Sequence, residues 1–380
     1  MKILYALNSS QRGGMEFHTL DLASGMVERG HSVYVVCPQG DLVSQFEKAG
    51  CVVQNCLIKQ DIDIQYIKFL YKFIKANNIN VVHAHEIKCV VNALIASFLA
   101  GVKARVTNTH TPISEWKVSK IKKLLNLFFQ RVFVNSLTGK EIALTETRLH
   151  VKLKEGIYKQ KLIVIPNSVS PKYLKLTSLQ KSSYNTEVRT RYNIDTNSYV
   201  LGNVSRLTVE KAHDVLIKSF ARALETKLIP TDSKLFIAGG GILENSLKAL
   251  AASLNVSDKI IFTGVFSDDD AIKFYATFDS FVFTSRAEGF GLVLIEAMAC
   301  GVPVISSDLD VLQEVSGDLV YFAKVGDFND FAVQMGKLYS LKDSVHLQKQ
   351  VKSATEHVLR HYTPEIFLNN YENLYTKLLK

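Results

Sequence analysis

Short β-branched runs alternate with longer stretches of helical spacing along the whole chain. The runs that we predict to be strands are KILYAL, HSVYVVCP, CVVQNCLI, VVHAH, ARVTNTH, RVFVNS and KLIVIPN, then SYVLGNVS, SKLFIAGG, KIIFTG, SFVFTS, PVISS and LVYFA. Most are apolar throughout, and stretches with helical periodicity separate them. Such strands indicate parallel sheets that are covered by helices on both faces. The pattern therefore predicts an α/β protein built of two Rossmann-like, doubly wound domains.

A polar stretch near the middle of the chain separates these two sets of strands. Residues 181–198 contain no long hydrophobic run and show no apolar periodicity. We predict a linker at 181–197, an N-terminal domain at 1–180 and a C-terminal domain at 198–362. The two domains are expected to face each other across a crevice. The tail, 363–380, reads as an amphipathic helix, and Pro364 suits its first turn.

The 380 residues suffice for two cores of ordinary size. The N-terminus lacks the pattern of a signal peptide, which predicts a cytoplasmic protein. The longest apolar run, Cys89 to Gly101, is shorter than the roughly 20 residues that span a bilayer, so we predict a packed helix. The five cysteines are odd in number and lack C-x-x-C spacing. They indicate buried reduced thiols and no cysteine metal site.

The formal net charge of +9 is concentrated in one region. Residues 111–180 hold 13 Lys and Arg against 4 Asp and Glu, which equals the whole excess. Within it, residues 115–131 combine aromatic and aliphatic side chains with Lys117, Lys120, Lys122 and Lys123. A basic amphipathic helix of this kind is typical of an element at an anionic membrane surface. An ordinary helix packed on its sheet with a solvated basic side fits equally well, and no nucleic-acid-binding motif accompanies the charge.

The stretch TSRAEGFGLVLIEAMACG carries two carboxylates, Glu288 and Glu296, in an otherwise apolar run. It predicts a strand, a tight connection and a helix. Glu296 lies about five residues into that helix, roughly 8 Å along its axis. The amides of Phe290, Gly291 and Leu292 at the helix start are suited to phosphate. We predict that one carboxylate lies at the reacting end of a ligand and that the second accepts from a vicinal diol such as ribose. The phosphates of the ligand would lie between them, on the helix terminus.

Cations and glycines end two neighbouring strands of the second half. Arg206 and Lys211 follow SYVLGNVS, where two cations can converge on a diphosphate and neutralise it as a leaving group. The glycines after FIA, including Gly239 and Gly240, allow backbone to approach a flat base, although three glycines also suit a simple turn. Beside the two carboxylates, the cations favour a donor-binding site over surface charges.

The first half offers weaker signals. Gly13 and Gly14 lie between the first strand and helix, but the third glycine of a dinucleotide-binding motif is absent. His85 ends one strand, and we predict a structural role for it. His110 follows another strand at the expected crevice and is the better candidate for function.

Together these segments resemble glycosyltransferase family 4, the group 1 glycosyltransferases with the GT-B fold, along nearly the whole chain. The segments that carry the resemblance are RGGME (Arg12 to Glu16), VVHAH, TNTHTP, VFVNSLTGKEIAL, VIPNSV, NVSRLTVEK, FIAGG, FTG and, most specifically, EGFGLVLIEAMACGVPVI. The resemblance implies a retaining enzyme that moves a sugar from a nucleotide-diphosphate donor to an acceptor. It implies no cofactor and no obligatory metal.

Residue roles follow from the resemblance. It places Arg206 and Lys211 on the donor diphosphate, Glu288 against the transferred sugar and Glu296 on the ribose. The amides of residues 290–292 would lie near the phosphates. Gly14 would approach the phosphates from the other domain, and His110 would lie beside the sugar. The acceptor would rest mainly on the first domain, which the final helix would join.

Two residues depart from the family pattern. Ser168 in VIPNSV and Ala212 after the lysine both stand where glycine is usual. These two departures put the local shape of their loops in doubt, but they do not affect the residues to which we assign the chemistry.

We therefore expect a transferase that builds a cell-surface polysaccharide, lipopolysaccharide or glycolipid on a glycan or lipid-linked acceptor. The expected place of this reaction is the inner face of the membrane, to which the protein would be peripheral. Glycoside phosphorylases and sugar-nucleotide epimerases share the architecture and are the first alternative. A non-catalytic nucleotide-sugar or membrane-binding protein is a remote one. The sequence leaves the base and sugar of the donor open.

Overall fold

The computed structural model describes residues 1–11, 13–116 and 118–380, with the backbone alone for Asp268. Arg12 and Lys117, both named above, lie outside the described residues. The chain forms two compact units. The first unit consists of Met1–Asn167 and Glu365–Lys380, and the second unit of Ser168–Pro364.

The first unit is built on a seven-stranded sheet in which every pair is parallel. Its strands are β1 (Lys2–Ala6), β2 (Ser32–Cys37), β3 (Val52–Asn55), β4 (Val81–His85), β5 (Ala104–Asn108), β6 (Lys140–Ala143) and β7 (Leu162–Val164). They lie in the order β3-β2-β1-β4-β5-β6-β7. The strand order therefore reverses between β1 and β4, and ligands of such sheets bind at this kind of switch point.

Helices connect these strands. They are α1 (Gly14–Glu28), α2 (Val43–Lys48), α3 (Ile64–Asn77), α4 (Ile87–Leu99), α5 (Lys120–Phe129), a π-helical turn (Gln130–Val134), α6 (Asn135–Leu137) and α7 (Glu146–Lys154). The apolar run predicted to be a packed helix is α4, and most of its residues are buried. No helix among the described residues combines the length and hydropathy needed to cross a bilayer.

The second unit contains a six-stranded parallel sheet. Its strands are β8 (Val200–Val204), β9 (Lys234–Ala238), β10 (Ile260–Phe262), β11 (Ser280–Phe283), β12 (Val304–Ser307) and β13 (Tyr321–Ala323). They lie in the order β10-β9-β8-β11-β12-β13, so this sheet reverses between β8 and β11. The prediction of two Rossmann-like α/β domains is confirmed.

The remaining helices belong to the second half of the chain. They are α8 (Pro171–Leu174), α9 (Ser178–Arg191), α10 (His213–Glu225), α11 (Glu244–Ser253), α12 (Asp268–Thr277), α13 (Leu292–Ala299), α14 (Asp310–Ser316), α15 (Phe328–Leu341), α16 (Val345–His361) and α17 (Pro364–Leu379). In the first unit, Tyr375 of α17 is buried and its hydroxyl lies 2.8 Å from Nδ1 of His83. The Arg29 guanidinium donates to Glu372 of the same helix at 2.6 Å.

One predicted strand is wrong. RVFVNS lies in the π-helical turn and α6, and the strand at this place in the sheet is β6, with the sequence KEIA. The sequence concealed β6 because it carries Glu141, a charged residue that strands covered on both faces rarely contain. The carboxylate is buried there by a salt bridge to Lys152 of α7.

The predicted linker at 181–197 is also wrong, because α9 covers most of it and belongs to the second unit. The chain divides between residues 167 and 168. Although α9 has few apolar residues, a capping box of Thr177 and Gln180 begins it. Arg189 is buried and donates to the carbonyl oxygens of Asp195 and Ser198. Polar contacts, which hydrophobic periodicity does not register, hold this helix.

Candidate active site

Three adjacent strands of the second unit carry the predicted donor-binding residues at their carboxyl ends. Arg206 and Lys211 follow β8, the glycines at 239 and 240 follow β9, and Glu288 follows β11. Because β8 and β11 are the strands at which the sheet order reverses, the ends of their loops meet at the switch point. The folded unit therefore brings together residues that lie up to about 80 positions apart in the sequence.

Lys211 and Glu288 form a salt bridge at this point. The Nζ atom of Lys211 lies 2.5 Å from Oε1 of Glu288, and the two side chains are 19% and 9% exposed. The ammonium also lies 5.5 Å from the centre of the Phe283 ring. Each charge is thus mostly withdrawn from water and compensated by the other, which explains how the apolar run tolerates Glu288.

Residues that the sequence analysis missed hold the Lys211 loop. Arg286 pairs with Asp214 through two contacts of 3.1 and 2.9 Å, and its Nη1 donates to the carbonyl oxygen of Val209. The hydroxyl of Thr284 donates to the carbonyl oxygens of Lys211 and Ala212, at 3.1 Å each. These contacts tie the loop after β8 to the loop after β11. Only the position of Arg286, two residues before Glu288, hinted at such a role.

Both departures from the family pattern are accommodated. Ala212 adopts a left-handed conformation with φ of 53°, which favours glycine, and is buried directly after Lys211. Glycine there would relieve backbone strain without changing the chemistry. Ser168 is not among the residues with positive φ, so its position does not require glycine.

Helix α13 begins at Leu292, one residue after the predicted start at Gly291. Gly291 precedes it with φ of 94°, and a Cβ added there would lie 2.6 Å from Leu312. Phe290 is buried and packs edge-on against Tyr362, with ring centres 5.6 Å apart. The first amides of the helix lie outside its own hydrogen-bond ladder and point from its N-terminus.

Glu296 accepts a hydrogen bond from a side chain of its own unit. The hydroxyl of Tyr275 donates to Oε2 of Glu296 at 2.8 Å. Burial, followed by the nearby Glu296 charge, raises the pKa of Tyr275 well above its usual value. Tyr275 is thus a neutral donor to the Glu296 carboxylate.

The glycines after β9 allow their backbone to pack directly against the backbone that follows β8. A Cβ on Gly239 would lie 2.0 Å from the carbonyl oxygen of Ser205, and Gly240 accepts from the amide of Leu207. Gly239 has φ of 144°. The glycine loop therefore packs on the segment that carries Arg206, which is itself exposed. Among the described residues, Arg206 makes no salt bridge.

The first unit brings a group of histidines to the switch point of its own sheet. Nδ1 of His85 lies 3.1 Å from Nε2 of His110, and the rings are stacked. Nδ1 of His18, in α1, lies 2.7 Å from Oδ1 of Asn167. Burial is the main cause that lowers the pKa of His18 to about 4 and the pKa of His85 and His110 well below the usual range. These imidazoles are neutral at physiological pH.

Two acidic residues near His110 were missed. Glu86 has φ of 65°, and its Oε1 accepts from the amide of His110 at 3.3 Å. Burial raises the pKa of Glu86 to about 7. Oε1 of Glu141 accepts from the amide of Thr109 at 3.1 Å. The sign of Glu86 in the sequence was its position, since it is an acidic residue directly after the predicted strand VVHAH. Gly14, by contrast, lies exposed at the start of α1, with no atom within 4 Å of an added Cβ.

Family models match both halves of the chain. The model described as Glycosyltransferase Family 4 matches residues 12–173, and the model described as Glycosyl transferases group 1 matches residues 185–357. The first match falls mostly in the first unit and the second match in the second unit.

Curated relatives agree with these models. N-acetyl-alpha-D-glucosaminyl L-malate synthase of Bacillus anthracis is 30% identical over 197 residues, which cover 51% of this chain and 50% of that enzyme. The chain thus spans about half the length of this relative. The UDP-Gal:alpha-D-GlcNAc-diphosphoundecaprenol alpha-1,3-galactosyltransferase of Escherichia coli is 28% identical over 280 residues, covering 72% of this chain and 70% of that enzyme.

Solved structures show the same fold. A glycosyltransferase from Rickettsia africae ESF-5 has a TM-score of 0.86 at 20% identity and covers 100% of this chain and 98% of its own. Anabaena Alr3699/HepE in complex with UDP-glucose has a TM-score of 0.82 at 20% identity, with 99% and 100% covered. The predicted GT-B fold class is confirmed.

Proposed function

The chain belongs to the group 1 glycosyltransferases of family 4, and we propose that it is a retaining enzyme that moves a sugar from a UDP- or GDP-sugar to a glycan or lipid-linked acceptor. The salt bridge between Lys211 and Glu288 at the switch point of the second unit carries this proposal. The Escherichia coli relative, named for a UDP-galactose donor and a lipid diphosphate acceptor, supports both substrate classes. The biosynthetic product would be a cell-surface polysaccharide or glycolipid.

The reaction breaks the bond between the anomeric carbon of the sugar and the diphosphate oxygen. The acceptor hydroxyl oxygen forms the new bond to that carbon and gives its proton to the leaving diphosphate. Negative charge develops on the leaving diphosphate. Lys211 and the exposed Arg206 neutralise that charge, with the amides at the start of α13. No metal ion is required for this role. As Lys211 turns to the diphosphate, Glu288 is released to accept from hydroxyls of the sugar.

Glu296 makes a similar exchange. Its carboxylate accepts from Tyr275 when no donor is bound, and in the proposed complex it accepts from the ribose diol. The roles of Gly14 beside the phosphates and His110 beside the sugar rest on the resemblance to the family and remain predictions.

A donor screen tests the proposal. We expect one UDP-, GDP- or ADP-sugar to raise the melting temperature, since a ligand at 100 times its Kd stabilises the folded state by about 2.7 kcal/mol. With that donor and no acceptor, slow release of the nucleoside diphosphate should persist in EDTA. NMR of the transferred sugar should show a retained anomeric configuration. Sugar 1-phosphate formed only with inorganic phosphate would indicate a phosphorylase, and interconversion of the donor would indicate an epimerase.

We further propose that α5 binds an anionic membrane surface. Its exposed apolar residues are spaced as one helical stripe, and the exposed fractions are high. They are Ile121 (82%), Leu124 (68%), Leu125 (44%) and Phe128 (58%). Leu127 and Phe129, on the two sides of this stripe, pack on the core of the first unit. The alternative of a helix that packs its whole apolar side inward does not account for this exposed stripe.

Cations lie along the stripe. Lys120 and Lys122 are exposed, and the ammonium of Lys123 donates to the carbonyl oxygen of Ser114. Arg131 lines an open pocket of about 390 Å³ beside the exposed Val132. An apolar stripe beside cations is complementary to a surface of anionic lipid.

Removing three charges should weaken this binding. Because a lysine near an anionic bilayer contributes about 1 kcal/mol, glutamine at positions 120, 122 and 123 should lower the partition coefficient on phosphatidylglycerol vesicles about tenfold or more. Flotation measures it, and binding to neutral phosphatidylcholine vesicles should change little. The matched control replaces three exposed lysines of the second unit, Lys248, Lys349 and Lys352. Equal loss in both triple variants would reduce the effect to net charge and contradict a role for α5.

A further inference from the structure

Three histidines of the first unit converge from different elements. His18 lies in α1, His85 ends β4 and His110 follows β5. One ring nitrogen from each lies within 4.8 Å of the others. Because β1 and β4 are the strands at which the sheet order reverses, the helix after β1 and the end of β4 meet at one place. The topology of the unit therefore assembles this group.

The spacing of the ring nitrogens suits a metal ion. Nδ1 of His85 and Nε2 of His110 are 3.1 Å apart. Two ligands of a tetrahedral ion with metal–nitrogen bonds of 2.0–2.1 Å lie about 3.3 Å apart. A small adjustment of the two rings would thus place both nitrogens on one ion.

His18 already has the outer contact that metal-bound histidines usually make. Oδ1 of Asn167 lies 2.7 Å from its Nδ1, so the amide oxygen accepts a ring proton there and leaves the lone pair on Nε2. The Tyr371 hydroxyl, 3.4 Å from this Nε2, is a weak competitor. A partner of this kind fixes the tautomer and the ring orientation of a ligand.

We propose that His18, His85 and His110 form a binding site for a divalent transition metal such as Zn²⁺, with a fourth position open to solvent. His18 and His85 are buried, whereas His110 is partly exposed and gives access from one side. Neutral imidazole is a preferred ligand of Zn²⁺, and three histidines with an open position are a known coordination set. None of the three belongs to the donor-binding residues of the second unit, but His110 is also the residue that we expect beside the transferred sugar.

The proton balance indicates moderate affinity. The 3.1 Å contact between Nδ1 of His85 and Nε2 of His110 is a hydrogen bond that holds one ring proton. When both nitrogens bind metal, the ring proton of His85 resides on its Nε2, which has no hydrogen-bond partner among the described residues. A missing outer partner typically lowers metal affinity about 10- to 100-fold. The ion should therefore bind reversibly and be removed by a chelator.

A second pair of histidines could also bind the metal and must be disrupted before the test. His357 and His361 lie one turn apart in α16 with ring centres 4.8 Å apart, a geometry that also binds metals. The experiment therefore uses the full chain carrying His361→Gln. Cobalt(II) is the probe, because its visible absorption reports a tetrahedral site.

In this background we expect one equivalent of Co²⁺ with a tetrahedral spectrum, displaced by Zn²⁺. His85→Gln and His110→Gln should each lower the affinity about tenfold or more. His150→Gln, an exposed residue of α7, is the matched control and should bind as the background does. His110→Cys should keep the site and add a thiolate-to-cobalt charge-transfer band, which a misfolded variant would not show.

No tetrahedral spectrum in the His361→Gln background, or equal binding by the background and by His85→Gln, would overturn the proposal. A second readout rests on the proposed function. Metal should inhibit sugar transfer reversibly, because it immobilises the His110 ring. The cobalt spectrum does not depend on transfer, so failure of the proposed activity and failure of the metal site are distinguishable.

Discussion

Replacing Lys211 with alanine is expected to lower the rate of sugar transfer about 10²- to 10³-fold, the usual loss when one group that stabilises developing charge is removed. The ammonium of Lys211, whose side chain is 19% exposed, lies at the switch point and pairs with Glu288. Glu288→Gln keeps the shape of the side chain and removes its charge. We expect a loss of similar size, mainly in kcat, because in the proposed reaction the carboxylate acts after Lys211 has turned to the donor.

The controls separate chemistry from folding. Lys218→Ala removes an exposed lysine of α10 and should leave transfer unchanged. Lys211→Ala alone leaves the carboxylate of Glu288, which is 9% exposed, without this cation and should lower the melting temperature. The double variant with Glu288→Gln should recover stability but not activity. Transfer near the wild-type rate in both single variants would contradict the assignment of the site.

Much of the second unit could be predicted because its chemistry is local in sequence. Glu288, Gly291 and Glu296 lie within one strand, turn and helix, and the spacing alone fixes their order along the helix axis. What the spacing could not provide was the protein partners of the two carboxylates. Lys211 and Tyr275 reach them only through the folded sheet.

The errors in the fold share one physical cause. Hydrophobic periodicity identifies elements that are held by apolar burial, but β6 and α9 each carry a buried charge. Glu141 is compensated by Lys152, and Arg189 by carbonyl oxygens and Asp279. The partner in each case lies in another element or on the backbone, so hydrophobic periodicity does not register it and a polar segment that packs inside the protein resembles a loop. Hydrophobic periodicity also could not show which apolar residues of α5 are exposed, because the exposed side and the packed side of this helix are both apolar.

Lys152→Met should have the largest effect on stability, lowering the free energy of unfolding by about 3–5 kcal/mol. The ammonium of Lys152 is 1% exposed, pairs with the fully buried Glu141 and donates to the carbonyl oxygen of Ile142 at 2.8 Å. Methionine fills much of the volume but leaves a carboxylate in the core without its cation. Urea unfolding measures the change, and a melting temperature lower by roughly 10 °C should accompany it.

The matched control is Lys154→Met, which replaces an exposed lysine of the same helix, α7, and should change stability by less than about 0.5 kcal/mol. Replacing both partners, Glu141→Gln with Lys152→Met, should recover part of the loss, because an unpaired buried charge costs more than an absent pair. Equal stability of the two methionine variants would mean that water reaches the carboxylate. Since Glu141 also accepts from the amide of Thr109, the Lys152 variant should in addition disturb the segment that carries His110. The ion pair that concealed β6 from the sequence pattern is therefore expected to be among the contacts on which the first unit depends most.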